Sequence, residues 1–247
     1  MIKTKQEPTP DQYKAALALV VAEHQRWRED RYTGTRLDLT GANLNDANLN
    51  GARLEGANLT GAYLRGAYLE GANMERANMT EASLYGASLE GANLTDANLY
   101  GANLGNANME RANMERANLG NANMNDASLT DANLNGASLT GASLTGASLT
   151  GADLEGANLT GADLRSADLR DADLRDAVLR DAVPSHDRLS FVRELLATAT
   201  DAEDVRSQNY WAVVQVAVEA GILEECSECN YWFPAGGRCE QSCQSCL

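Results

Sequence analysis

"GASLTGASLTGASLTG" (residues 136–151) writes the same five letters three times over and holds no charge, ring, histidine or cysteine. The period runs far beyond this stretch. Leu or Met stands at every fifth position from Leu39 through Leu179, 29 centres without a slip, with Met at Met74, Met79, Met109, Met114 and Met124. Two residues before each centre, from Ala42 through Ala177, the residue is Ala, and between the two sits a small polar residue, usually Asn, Ser or Asp. The consensus is A-[NDS]-[LM]-x-x.

Neither regular element accepts a period of five. On an α-helix at 100° per residue, successive leucines step by a net 140° and scatter around the axis. On a flat strand they fall on opposite faces. A chain that bends at regular intervals resolves the conflict, because every Ala and every Leu then faces one common axis. Stacked coils of such a chain hydrogen-bond to one another at strand spacing, about 4.8 Å. Glycine, which ends fifteen of the pentapeptides, serves the corners.

On this consensus the chain resembles the pentapeptide-repeat family over residues 37–183. The resemblance implies an all-β solenoid, a right-handed quadrilateral β-helix with four repeats, or 20 residues, per coil. About seven coils at strand spacing give a rod roughly 35 Å long. The segment "EHQRWREDRYTGTRLDL" resembles the helical lead-in of many members, with His24 and Trp27 at its centre. Three regions follow: a tail and capping helix over 1–36, the β-helix over 37–183, and two helices with a Cys-rich tail over 184–247. The rod's core is filled by Leu, Met and Ala, with the methionines as gap-fillers, so function falls to the surface and the ends.

Composition narrows what the surface can do. The 247 residues carry a formal net charge of −15, which argues against direct contact with nucleic acid or an anionic membrane, since both need clustered Lys and Arg. No stretch approaches the roughly 20 apolar residues of a membrane span. The polar start "MIKTKQEPTPDQYK" lacks the apolar core of a secretory signal, and all five cysteines lie after residue 225. The expectation is a cytoplasmic protein with reduced thiols.

Sorting the outward residues by a 20-residue period assigns each to one of four sides. Fourteen of the 20 acids in the repeat block fall on two adjacent sides, Glu70, Glu75, Glu90, Glu110 and Glu115 among them. Six arginines on the same edge leave it at −8. An acidic edge has two readings. It can be a solvated face that keeps repetitive sheet edges apart, with the arginines in local ion pairs. It can also be a protein-docking face. The quinolone-resistance members, which this repeat resembles, are understood to present carboxylates in place of DNA phosphates to DNA gyrase, so the resemblance implies a DNA mimic acting on a DNA-handling enzyme. Tyr63 and Tyr85 share a side one coil apart and add aromatic contact area, either to a partner or to each other's coils. Arg165, Arg170, Arg175 and Arg180, interleaved with aspartates, read as a ring of charge pairs closing the rod.

The ends carry different chemistry. Residues 11–28 read as an amphipathic helix covering the first coil, with His24 structural. After Val183, Pro184 ends the repeat, and residues 185–199 and 202–220 read as helices, a small domain or a homodimer surface. In the tail, Cys226-x2-Cys229 and Cys243-x2-Cys246 match a closed, structural zinc site in which Cys239 can replace one ligand; disulfides or free thiols are the alternatives. With two histidines, one in each flank, and no nucleophile–base arrangement or phosphate loop, the chain reads as a non-catalytic interaction protein. The alternative is a spacer or adaptor whose tail module does the binding.

Overall fold

The computed structural model describes residues 36–182, the positions His24, Arg26 and Glu29, and the backbone of the strands β1 (Leu223–Glu225) and β2 (Trp232–Pro234). Trp27, the helices expected at 185–199 and 202–220, and the five cysteines lie outside the described residues.

Residues 36–182 form the expected stack of coils. Every polar residue between an Ala and its Leu pairs in parallel with the residue 20 positions on, from Asp38↔Asn58 to Asn158↔Val178, so seven steps of 20 residues run along the rod. Each pentapeptide makes the same bonds. Leu39 N–H donates to the Asn58 carbonyl at 2.7 Å, Asn58 N–H returns to the Leu37 carbonyl at 2.9 Å, and Gly41 N–H donates to the Thr60 carbonyl at 2.9 Å. Ala42 N–H closes the corner onto the Leu39 carbonyl at 3.0 Å. Backbone groups are thereby satisfied coil to coil, which lets a chain with three-residue sides stay ordered.

The corner needs a left-handed residue in its third position. All 29 corners from residue 41 to residue 181 have φ between +54° and +72° there, fifteen on Gly and fourteen on other residues. Nine of those fourteen are Asp or Asn, whose short polar side chains tolerate this region. The polar residue before Leu is chosen for the same corner. Its side-chain oxygen accepts the N–H two residues on, as Asn78 Oδ1 does from Thr80 at 3.2 Å and Asn93 Oδ1 from Thr95 at 3.1 Å. Its amide then reaches an adjacent coil, as Asn93 Nδ2 does to Asn73 Oδ1 at 3.0 Å.

The interior is one column of apolar side chains. From Leu54 to Leu164 every Leu, Met and Ala of the repeat is at most 1% exposed, the five methionines included. Each Leu or Met so buried contributes about 1.5–3 kcal/mol. The first coil differs, with Ala42, Ala47 and Ala52 only partly covered. There Leu37 stands at the alanine position and is 1% exposed, plugging the rod's entrance.

Over that entrance sits His24, fully buried in helical backbone. At this end the imidazole meets backbone groups of the first coil from both ring nitrogens. Leu37 N–H donates to His24 Nδ1 at 3.0 Å, and His24 Nε2 donates to the Glu55 carbonyl at 3.0 Å. That pairing fixes a neutral ring with its proton on Nε2.

Later in the chain, β1 and β2 pair antiparallel in the register Leu223↔Pro234, Glu224↔Phe233, Glu225↔Trp232. The sequence reading assigned no strands there.

Candidate functional site

The four sides are named here by their first Leu: Leu39, Leu44, Leu49 and Leu54. The position after each Leu points outward at a corner. Glu70, Glu90 and Glu110 therefore stack in one column at the end of the Leu49 side, and Glu75 and Glu115 stack in the next, with Thr95 between them. Neighbours within a column lie about 5 Å apart, one coil step. All five are half-buried by the adjacent coils. The five glutamates thus occupy two neighbouring columns.

Like charges at that spacing repel, and the arginines answer it. Arg111 pairs with Glu90 across one coil; Arg116 pairs with Asp96 at 2.8 Å and with Glu115. Arg76 lies 3.2 Å from Glu75 and 3.7 Å from Asp96. Hydrogen bonding from Arg116, with the two guanidinium charges beside it, holds the Asp96 carboxyl below its ordinary value. Glu70 accepts from Asn50 Nδ2, and Glu110 accepts from Ser128 Oγ at 3.0 Å. The edge is thus a mosaic, part ion-paired and part open.

The last coil forms the expected charge ring in a repeated D-L-R pattern. Asp163, Asp168 and Asp173 each bind the arginine two residues on, at 2.5, 2.6 and 2.7 Å, and accept its backbone N–H as well. The hydrogen bond from Arg170 pulls Asp168 down to about 2. Burial works to raise Asp173, and the bonds from Arg175 outweigh it, leaving it lowered. Arg180 pairs more loosely with Asp181, 3.9 Å away, because Val178 takes the place of the aspartate. Asp153, Glu155 and Asp173 bring carboxylate oxygens within 4.8 Å of one another. Arg175 already bridges Glu155 and Asp173, supplying the positive charge that a cation would.

Tyr63, Tyr68, Tyr85 and Tyr100 are 55%, 50%, 41% and 44% exposed. The structure separates them into two kinds. Tyr85 and Tyr100 pack against buried glycines one coil on: a Cβ at Gly105 would come within 3.2 Å of the Tyr85 ring, and one at Gly120 within 3.1 Å of the Tyr100 ring. Asn106 Nδ2 donates to Tyr85 Oη at 3.1 Å, and Asn121 Nδ2 to Tyr100 Oη at 2.6 Å. The signal was in the sequence as L-Y-G followed 20 residues later by L-G-N, twice, and the sequence reading missed it. Tyr63 and Tyr68 stand mid-side in one coil, flanked in their ladders by Asn and Ser.

A solenoid with a filled interior and its polar chemistry confined to the outside is a scaffold for surface recognition. The particular family follows from comparison: the model of Pentapeptide repeats matches overlapping segments from residue 38 to residue 181, and the chain belongs to that family. The right-handed β-helix expected from the repeat is thereby established. Among solved structures, the pentapeptide repeat protein Rfr23 of the cyanobacterium Cyanothece 51142 is 38% identical over 39% of this chain and 63% of its own, with a TM-score of 0.35. The chain thus spans less than two thirds of that protein. HetL, a pentapeptide repeat protein involved in heterocyst differentiation regulation in Nostoc sp. strain PCC 7120, is 34% identical over 60% of this chain and 80% of its own, with a TM-score of 0.29. QnrB1, a plasmid-mediated fluoroquinolone resistance protein, is 21% identical over 66% of this chain and 96% of its own, with a TM-score of 0.43. No match was found among curated proteins. Among the described residues, no helix is long and apolar enough to cross a membrane.

Proposed function

We propose that this is a non-catalytic interaction protein whose acidic edge docks a protein partner, with Glu70, Glu75, Glu90, Glu110 and Glu115 as the contact columns. One observation carries the reading. The rod's interior is filled, and its strongest surface feature is fourteen acids gathered on two adjacent sides at coil spacing. Carboxylates in regular columns offer a basic groove what a phosphate backbone offers it. A DNA-handling enzyme such as gyrase is the partner class that this charge pattern fits. The arginine pairs temper the field, so the edge presents a patterned surface rather than a uniform one.

The hairpin favours a second reading, in which the rod is a spacer and the tail binds the partner or a second copy. β1 and β2 pair antiparallel, and Cys226 and Cys229 lie between them in the sequence. Cys226-x2-Cys229 has the spacing of half of a structural zinc site, with Cys243-x2-Cys246 as the other half. Zinc there would organise the tail and perform no chemistry.

Affinity capture from a bacterial lysate separates the two. The baits are the intact protein, the Glu70, Glu75, Glu90, Glu110 and Glu115 to Gln variant, and a chain truncated after Val183. Edge docking predicts that the intact and truncated baits capture the same DNA-handling enzyme while the Gln variant loses it. Capture that survives the Gln changes and vanishes with truncation overturns edge docking in favour of the tail. Metal analysis of intact protein and of Cys226→Ser then tests the zinc site: about one zinc per chain supports it, and none removes it.

A further inference from the structure

Seven of the nine arginines in the repeat block are in ion pairs, and Arg65 is not among them. Its guanidinium carbon lies 5.8 Å from the centre of the Tyr85 ring, one coil on. This is the range of a cation–π contact, which Arg makes more often than Lys because its planar group is weakly hydrated and stacks on ring faces. The surroundings extend the same chemistry. Residues 85 and 86 form the corner between the Leu44 and Leu49 sides, and one coil earlier Tyr63 and Tyr68 stand mid-side on either flank of that corner. Asn43 and Ser83 flank Tyr63, and Asn48 and Ser88 flank Tyr68. These side chains are too short to cover the rings, which stay half exposed. Beyond Tyr68 begins the column of Glu70 and Glu90.

We propose that the Tyr63, Tyr68 and Tyr85 corner, together with Glu70 and Glu90, is a docking surface for an arginine-rich segment of the partner protein. The occupant is argued from complementarity. Tyr63 and Tyr68 offer two open rings, the glutamates supply negative charge at the margin, and Arg65 over Tyr85 is a guanidinium already held against a ring at the same corner. Aromatic residues and arginine are also the types that concentrate binding energy at interfaces. The inference rests on the edge-docking reading and adds a requirement to it, that the partner present guanidinium groups and not positive charge alone.

Labelled nona-arginine and nona-lysine peptides, titrated by fluorescence anisotropy against the full chain, provide the test. Three variants accompany the intact protein: Tyr63, Tyr68 and Tyr85 all to Leu, all to Phe, and Glu70→Gln with Glu90→Gln. Intact protein should bind nona-arginine about threefold or more tighter than nona-lysine. The Leu variant should lose that preference, the Phe variant should keep it, and the Gln variant should weaken both peptides alike. Equal binding of the two peptides to the intact protein overturns the proposal, as does a preference that survives in the Leu variant. A thermal melt of each variant shows whether the fold is intact, and the Phe variant decides the matter should the Leu variant unfold. Failure of edge docking reads differently: the Gln bait of five glutamates keeps its partner in the lysate experiment, whatever the peptides do.

Discussion

At the scale of single residues, the corner sets the rules. Gly151 has φ +67°, and a Cβ there would sit 2.5 Å from Asp131 Oδ1, one coil earlier. Gly66 under Asp46 and Gly141 under Asn121 repeat the arrangement, while Gly61, at φ +61°, has nothing within 4 Å. Two costs can therefore be separated. Gly61→Ala should lower stability by about 1 kcal/mol, the cost of a left-handed alanine. Gly151→Ala should cost more, and Asp131→Ala in the same chain should recover the excess. Urea melts of the two single variants and the double variant measure this, and equal losses at both glycines would contradict it. Charge at the last coil adds a pH dependence. A carboxyl held below its ordinary 3.8 stabilises the fold fully above that value and ceases to do so as pH falls through its lowered value, about 2 for Asp168. The melting temperature should therefore decline between pH 4 and pH 2, by a small amount because the pairs face water. Replacing Arg170 with Met should flatten part of that decline.

At the scale of elements, legibility divides cleanly. The coil was readable because one five-residue unit repeats with its inward positions intact, so periodicity alone fixed which residues face the axis and where corners fall. The charge ring was readable for the same reason, since Asp and Arg two positions apart share an outward face. The rod's ends were not, because nothing there repeats. Leu37 at an alanine position looks like a broken repeat in the sequence, yet it plugs the first coil. His24 was read as structural, but its two partners, Leu37 N–H and the Glu55 carbonyl, are 13 and 31 residues away and belong to backbone that sequence does not display. The Tyr85–Gly105–Asn106 and Tyr100–Gly120–Asn121 sets needed the same 20-residue alignment, applied to residues that looked unremarkable singly. Removing the imidazole takes the acceptor from the buried Leu37 N–H, a loss of about 1–3 kcal/mol. His24→Ala should therefore speed amide exchange in the first coil, at Leu39 and Asn58, and leave the mid-rod amides of Leu104 and Asn123 protected. Uniform acceleration along the rod would contradict the view that the ring is a local cap.

At the scale of the whole molecule, a filled rod can act only through what it shows. Its backbone bonds run from coil to coil, and its side chains hold fixed columns whose spacing the coil step sets. The acidic edge was visible in sequence as a sum of charges. Its mosaic of paired and open carboxylates was not, because pairs such as Arg111 with Glu90 and Arg175 with Glu155 join residues about 20 apart that become neighbours only on stacking. In the proposed function this edge, and neither the neutral sides nor the tail, carries the binding energy. Isothermal titration of the captured partner with intact protein and with the variant carrying Gln at Glu70, Glu75, Glu90, Glu110 and Glu115, at low and at physiological salt, tests it most directly. The intact protein should bind at least about tenfold more weakly at the higher salt, and the variant should be weaker at both with a shallower salt dependence. Equal affinity and equal salt dependence for the two proteins would contradict it.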